Sequence, residues 1–288
     1  MHESVILAGA CTPGGDIFAG LGTVCTNVLE AIAIESALDR AGLCVADVDC
    51  LITGHAYARR TAHRACLPDR IPVISVSESG PCSLHTIGLA DRLIRSGERE
   101  VVVVSGVDPA VSRPDQEERT RPDHEEHTRP YGNAPSSGVV LTRDIALALG
   151  PEALSALAER ADRAVAVVLM RRARAEGLGL PWLARVSAHC TAGGPTPSSY
   201  EDAARAVGRA LRRVPATPSD PRLVHVRRTP PGSGTGHEPA PRRVFDTAGM
   251  RMVLLLARTV GRQGRALGAM GMWGDHRAEA VIVCSGAS

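Results

Sequence analysis

Lysine is absent from this sequence: all 33 of its basic residues are arginine. That excludes a lysine Schiff base and a lysine general base from any chemistry the chain performs, and the bias itself fits a GC-rich genome. Aromatic residues make up only 2% of the 288 positions. The core therefore has to be built from Ala, Val, Leu and Ile, which suits helices lying close on sheets. No apolar run approaches the ~18 residues that mark a membrane-spanning helix. The opening Met1-His-Glu-Ser-Val-Ile-Leu lacks the basic stretch and apolar run of a secretion signal, so a cytoplasmic location is expected. The formal net charge of +2 creates no field that would draw the chain to nucleic acid or to a membrane surface. The eight cysteines are scattered, with no Cys-x-x-Cys pair and no zinc-finger spacing. They are expected to be reduced thiols, several of them in the core, and no metal site is expected.

What is present is a regular alternation. Apolar runs at Val5–Ala10, in the second part of Val45–Gly54 after a turn, from Pro72 onward, at Val101–Val107, Ala164–Met170, Trp182–Cys190, Leu223–Val226, Ala266–Trp273 and Glu279–Cys284 read as strands. Between them, helical spacing predicts helices over Thr26–Ala41 (stopped by Gly42), from the turn after Val76, and over Pro151–Arg160, Arg171–Glu176, Ser198–Arg213 and Thr247–Arg262. Buried strands alternating with amphipathic helices argue for a layered α/β protein. The pattern breaks between Val111 and Pro135, where Arg113-Pro-Asp-Gln-Glu-Glu-Arg-Thr is followed at once by Arg121-Pro-Asp-His-Glu-Glu-His-Thr. This tandem, charged and proline-punctuated, reads as a mobile surface insertion. His124, Glu125, Glu126 and His127 are ligand types, but no apolar scaffold would fix their geometry, so a solvated loop is expected.

The stretch Pro72–Val107 carries the most information. An apolar strand ends in Ser77-Glu-Ser-Gly80-Pro-Cys82-Ser-Leu-His85, a helix follows, and a four-valine strand ends in Ser105-Gly106. This resembles the nucleophile elbow of the thiolase superfamily, which includes thiolases and β-ketoacyl synthases. The resemblance extends along most of the chain: Ala164–Met170 with Leu183–Val186 is similar to the junction of the two thiolase halves, and Gly249-Met-Arg251 with Ala278–Val283 to the thiolase C-terminus. It implies a fold of two similar βαβαβαββ halves stacked as a five-layer α-β-α-β-α sandwich. It also implies an N-terminal half over 1–182, with a shortened loop insertion at 113–160, and a C-terminal half over 183–288. The family dimerises through an N-half strand, so a dimer is implied.

The family's catalytic positions are changed here. Aligned without gaps from both sides, the nucleophilic cysteine falls on Gly80, which can form no bond to an acyl group. The Asn-Glu-Ala-Phe turn after the third C-half strand is replaced by Arg227-Arg-Thr-Pro230 after Leu223–Val226. Counting back from Gly249 places Arg243 at the histidine of Gly-His-Pro, and a guanidinium stays protonated and cannot act as a base. The second cysteine, of Cys-x-Gly, is matched by Met272-Trp-Gly274, and a thioether has no proton to move. No catalytic residue is therefore expected. The resemblance implies a catalytically silent partner of an active thiolase or ketosynthase, in acyl-chain or secondary-metabolite biosynthesis, as chain-length factors pair with ketosynthases.

Two alternatives stay open. A shifted register would make Cys82 a nucleophile near a helix N-terminus, with His237 of Gly236-His237-Glu-Pro239 as its base, in an active acyl-CoA acyltransferase. Otherwise Arg227, Arg228, Arg242 and Arg243 could hold the phosphates of coenzyme A or of a phosphopantetheine thioester, in a non-catalytic binder of acyl-CoA or acyl carrier protein. They could equally plug the cleft by pairing with Asp246 and Asp275. No cofactor is required by any of these readings. His85 reads as a hydrogen-bonded core histidine. His189 and Cys190 are neighbours on a strand, point to opposite faces, and cannot readily cooperate.

Overall fold

The computed structural model of the chain describes residues 2–12, 26–54, 58–76, 82–107, 140–141, 164–193, 199–214, 221–228, 248–262, 267–273 and 277–285. In the N-terminal part the elements are β1 (Ser4–Cys11), α1 (Thr26–Ala41), β2 (Cys50–Thr53), α2 (Ala58–Arg64), β3 (Val73–Ser75), α3 (Cys82–Arg95), β4 (Val101–Val107), β5 (Val140–Leu141) and β6 (Ala164–Arg171). There follow α4 (Arg172–Gly177), β7 (Ala184–Gly193), α5 (Tyr200–Leu211), β8 (Pro221–Arg228), α6 (Ala248–Arg262), β9 (Leu267–Trp273) and β10 (Arg277–Cys284). The helix expected at Pro151–Arg160 lies outside the described residues, as does all of the charged tandem.

The ten strands hydrogen-bond in the order β3-β2-β4-β6-β1-β7-β10-β9-β8-β5. Outward from the centre, β1, β6, β4, β2 and β7, β10, β9, β8 repeat one pattern. The second strand of each series runs against its neighbours, and β2 lies parallel to β4 as β8 lies parallel to β9. The two series meet where β1 pairs antiparallel with β7, Ser4 opposite Val186. Helices α1 and α2 pack together on the outer face of the first series, and α5 packs on the outer face of the second. Helices α3 and α6 touch each other and strands of both series, so they form a shared middle layer. The arrangement is α-β-α-β-α, as the resemblance implied.

Local chemistry accounts for the layers. Val101–Val104 are all fully buried, because β4 is covered on both faces. Val102 and Val104 join the middle-layer core, while Val101 and Val103 face α1. A fully buried Val side chain contributes about 1.5–3 kcal/mol relative to an exposed one, so a charge at any of these positions would break the stack. Helix α1 ends in a Schellman arrangement: Leu43 N–H donates to Leu38 O at 3.0 Å and Gly42 N–H to Asp39 O at 3.0 Å. Gly42 sits at φ +69°, where a Cβ would be strained. Helix α5 is capped by the Ser199–Asp202 box.

Two β-bulges change which face a side chain reaches. In β7, Val186 pairs with Val283 but Ala188 with the adjacent Ile282, so Ser187 is the extra residue. Val186 therefore faces the middle layer while Ala188, Cys190 and Ala192 face α5. Arg95 fixes the bulge, donating to Val186 O at 2.8 Å and Ser187 O at 3.2 Å. Its Nε is held in turn by Asp91, 2.8 and 2.9 Å from the two carboxylate oxygens. A second shift lies between Ile6 and Ala8 of β1.

Candidate functional site at the start of the middle helices

The N-termini of α3 and α6 converge on the end of β9. Ser83, Leu84, Met250 and Met272 are all fully buried there. The Ser83 hydroxyl lies 3.9 Å from Met272 Sδ. Gly249, the second residue of α6, leaves no space between them: a Cβ on it would stand 2.2 Å from Ser83 Oγ and 2.6 Å from Met272 Sδ. Ser83 O accepts from the Thr86 hydroxyl at 3.0 Å, which closes the first turn of α3. The space beside Met272 is thus filled by its thioether, which cannot exchange a proton.

The other sequence-derived positions are placed as follows. Cys82 is the first residue of α3. Gly80, His237, Arg242 and Arg243 lie outside the described residues. Arg227 and Arg228 require a correction. The resemblance set them after the strand Leu223–Val226, but β8 continues through both, and their backbones pair with Met272 and Trp273 of β9. By position in the sheet, β8 is the counterpart of β2, the second strand of its half rather than the third. Its pairing with β9 extends further than its apolar core, and that pairing sets its length.

Sequence reasoning missed Glu279. It faces Met272 across the β9–β10 ladder, and residues directly opposite in an antiparallel pair share a face. Its carboxylate is fully buried and bridges two imidazoles. Oε1 lies 2.9 Å from His85 Nδ1 and Oε2 lies 3.0 Å from His189 Nε2. The two rings meet edge to face with centroids 6.0 Å apart. Arg277 Nη1 stands 3.6 Å from Oε1. Burial works against ionisation of Glu279, but the hydrogen bonds from His189 and His85 prevail and hold its pKa below the usual carboxylate value.

His85 is hydrogen-bonded in the middle layer, as its helical position suggested. His189 and Cys190 do point to opposite faces: His189 meets Glu279, and Cys190 joins the core under α5. Gly88 makes the room for His189, since a Cβ there would lie 2.3 Å from the ring. The only local signal for Glu279 was a lone acid in an apolar strand. Cys50 and Cys190 are buried thiols whose pKa burial raises, that of Cys50 to about 11. Both are poor nucleophiles at neutral pH. Among the described residues no helix is long and apolar enough to cross a membrane.

The family described as "Thiolase, N-terminal domain" matches residues 4–140. A probable acetyl-CoA acetyltransferase of Mycobacterium tuberculosis is 33% identical over 122 residues, which are 40% of this chain and 31% of that protein. The chain thus spans under a third of that relative's length in the matched region. A probable acetyl-CoA acetyltransferase of Mycolicibacterium smegmatis is 23% identical over 299 residues, covering 73% of this chain and 77% of that protein. Among solved structures, the acetyl-CoA acetyltransferase from Syntrophomonas wolfei has the same fold, with a TM-score of 0.67 at 18% identity, covering 98% of this chain and 99% of that one.

Proposed function

The chain belongs to the thiolase superfamily, and on that premise we propose that it does not perform the family's Claisen chemistry but serves as a structural or regulatory partner of an active thiolase or ketosynthase. The observation that carries this reading is Met272. By the sequence resemblance it stands for the family's acid/base cysteine, and it is fully buried and packed against Ser83 and Gly249. The sequence alignment that sets Gly80 at the nucleophile and Arg243 at the activating histidine supports the same reading. The partner would be a homologue of this chain, joined through the family's N-half strand, in acyl-chain or secondary-metabolite biosynthesis.

A second reading, an active acyl-CoA acyltransferase using Cys82, is favoured by one observation. Cys82 begins α3 and His85 follows at i+3, a spacing that puts two residues on neighbouring positions of a helix. His85 Nδ1 is engaged by Glu279, an imidazole oriented by a carboxylate as in acyl-transfer triads. This pairing would replace His237 as the base.

The deciding experiment is intact-protein mass spectrometry after incubation with a panel of acyl-CoAs, followed by peptide mapping. The silent reading expects no covalent adduct on the folded chain. A stoichiometric acyl group on Cys82, abolished in Cys82→Ala, overturns it and establishes the acyltransferase.

A further inference from the structure

We propose that His85, His189 and Glu279 form a binding site for one divalent transition-metal ion of the zinc type, buried in the middle helix layer. The proposal is independent of the silent-partner reading and competes with the acyltransferase reading, because a His85 ring bound to metal through Nδ1 carries its proton on Nε2 and cannot serve as the base for Cys82.

The donors come from three elements distant in sequence: α3, β7 and β10. One ligand atom from each lies within 4.8 Å of the others. Two imidazole nitrogens and a carboxylate oxygen are the donor set of many three-ligand zinc sites, with bonds of about 2.0–2.2 Å. The present spacings, 2.9 and 3.0 Å from nitrogen to carboxylate oxygen, need only a small widening to admit an ion between them. Mixed nitrogen and oxygen donors favour Zn2+, Co2+ or Ni2+ over Mg2+ and Ca2+, which take oxygen ligands.

The site is built rather than incidental. Glu279 is fully buried, the His189 side chain is 6% exposed and that of His85 is 21% exposed. Two ligands are therefore held inside, and the third, His85, reaches solvent. The bulge at Ser187 turns His189 inward, Arg95 pins that bulge, and Gly88 lacks the Cβ that would displace the ring. Three separate features thus serve the orientation of one imidazole, more than a core hydrogen bond requires.

Charge favours the ion as well. The cluster sets a carboxylate in the interior between two imidazoles, and a buried anion needs compensation. Arg277, 3.6 Å from Oε1 with a side chain 38% exposed, is the cation that approaches it. A divalent ion would add positive charge at bonding distance. Binding transfers no electrons. Each neutral ring moves its proton to its other nitrogen, Nε2 of His85 and Nδ1 of His189, and donates the vacated lone pair to the metal.

The test is calorimetric titration of the full chain, prepared without a histidine tag and stripped with chelator, using ZnCl2. One saturable equivalent is expected, together with a rise in Tm. Glu279→Gln and His85→Ala should each weaken binding at least tenfold and abolish the Tm rise, whereas His63→Ala, at an exposed position of α2, should change neither. His85 is the most exposed ligand, so His85→Ala is the variant that should retain its fold, and circular dichroism checks this. Titration with Co2+ should give the visible absorption of a low-coordinate nitrogen and oxygen site. Absence of saturable Zn2+ binding, or binding unchanged in folded His85→Ala and Glu279→Gln, overturns the proposal and leaves a purely hydrogen-bonded cluster.

Discussion

Gly249 and Met272 are packed so closely that a Cβ on the glycine would lie 2.6 Å from the methionine sulfur. The two helices of the middle layer can start side by side only because one of them has no side chain there.

Gly249→Ala is therefore expected to destabilise the protein. Its methyl would meet Ser83 Oγ at 2.2 Å as well as Met272 Sδ, both in a fully buried setting. Overpacking of this kind costs about 1–3 kcal/mol. A denaturant titration should show a lower midpoint with an unchanged slope.

A second expectation concerns Glu30, a fully buried carboxylate on α1. Oε1 accepts hydroxyl hydrogen bonds from Thr53 and Ser105, the latter at 2.6 Å, and Oε2 accepts from Thr61 at 2.9 Å. Ser105→Ala removes one donor and leaves the carboxylate under-satisfied, at a cost of about 1–3 kcal/mol. Replacing Glu30 and Ser105 together by apolar residues should cost less than the sum of the single changes, because no orphaned group remains. Chemical denaturation of the four proteins of the cycle measures this coupling, and strict additivity would contradict it.

Acid sensitivity should track Glu3. Burial raises its pKa, but Arg172 at 2.9 Å and Arg185 at 2.5 Å prevail, and the folded value falls below the ordinary 4.5. A carboxylate with a depressed folded pKa adds stability at pH values above its unfolded pKa and loses it as pH falls through the folded one. Glu3→Gln should then be less stable than the native chain at neutral pH, and the difference should shrink below pH 4.5. The group is partly exposed, so salt should weaken the effect. Thermal melts across this pH range, at low and high salt, read it directly.

Much of the fold was legible because periodicity is a local property. The expected helix Thr26–Ala41 has those bounds in the structure, where the apolar spacing runs up to Gly42. The valines of β4 likewise announce themselves. Helix α2, Ala58–Arg64, was not anticipated: its sequence, ARRTAHR, is too short to show a helical stripe, and packing against α1 supports it. Strand β5, only two residues long, has no pattern of its own and exists by pairing with β8.

The candidate site divides in the same way. Met272 could be picked out from sequence because the resemblance supplied a position to look at, while its packing against Ser83 is visible only in the structure. Arg227 and Arg228 looked like loop residues, because the apolar run ends at Val226, yet the ladder with β9 carries the strand through them.

Sequence by itself determined the alternation of strands and helices and the fact that His189 and Cys190 face opposite ways. Only the tertiary structure decided which of the two turns inward. That choice rests on the single extra residue Ser187 in the pairing of β7 with β10, since one inserted residue reverses the face of every side chain beyond it. The partners it brings together, His85 and Glu279, are 194 positions apart. No local pattern encodes a meeting at that separation, because it depends on strand register and on how the layers stack.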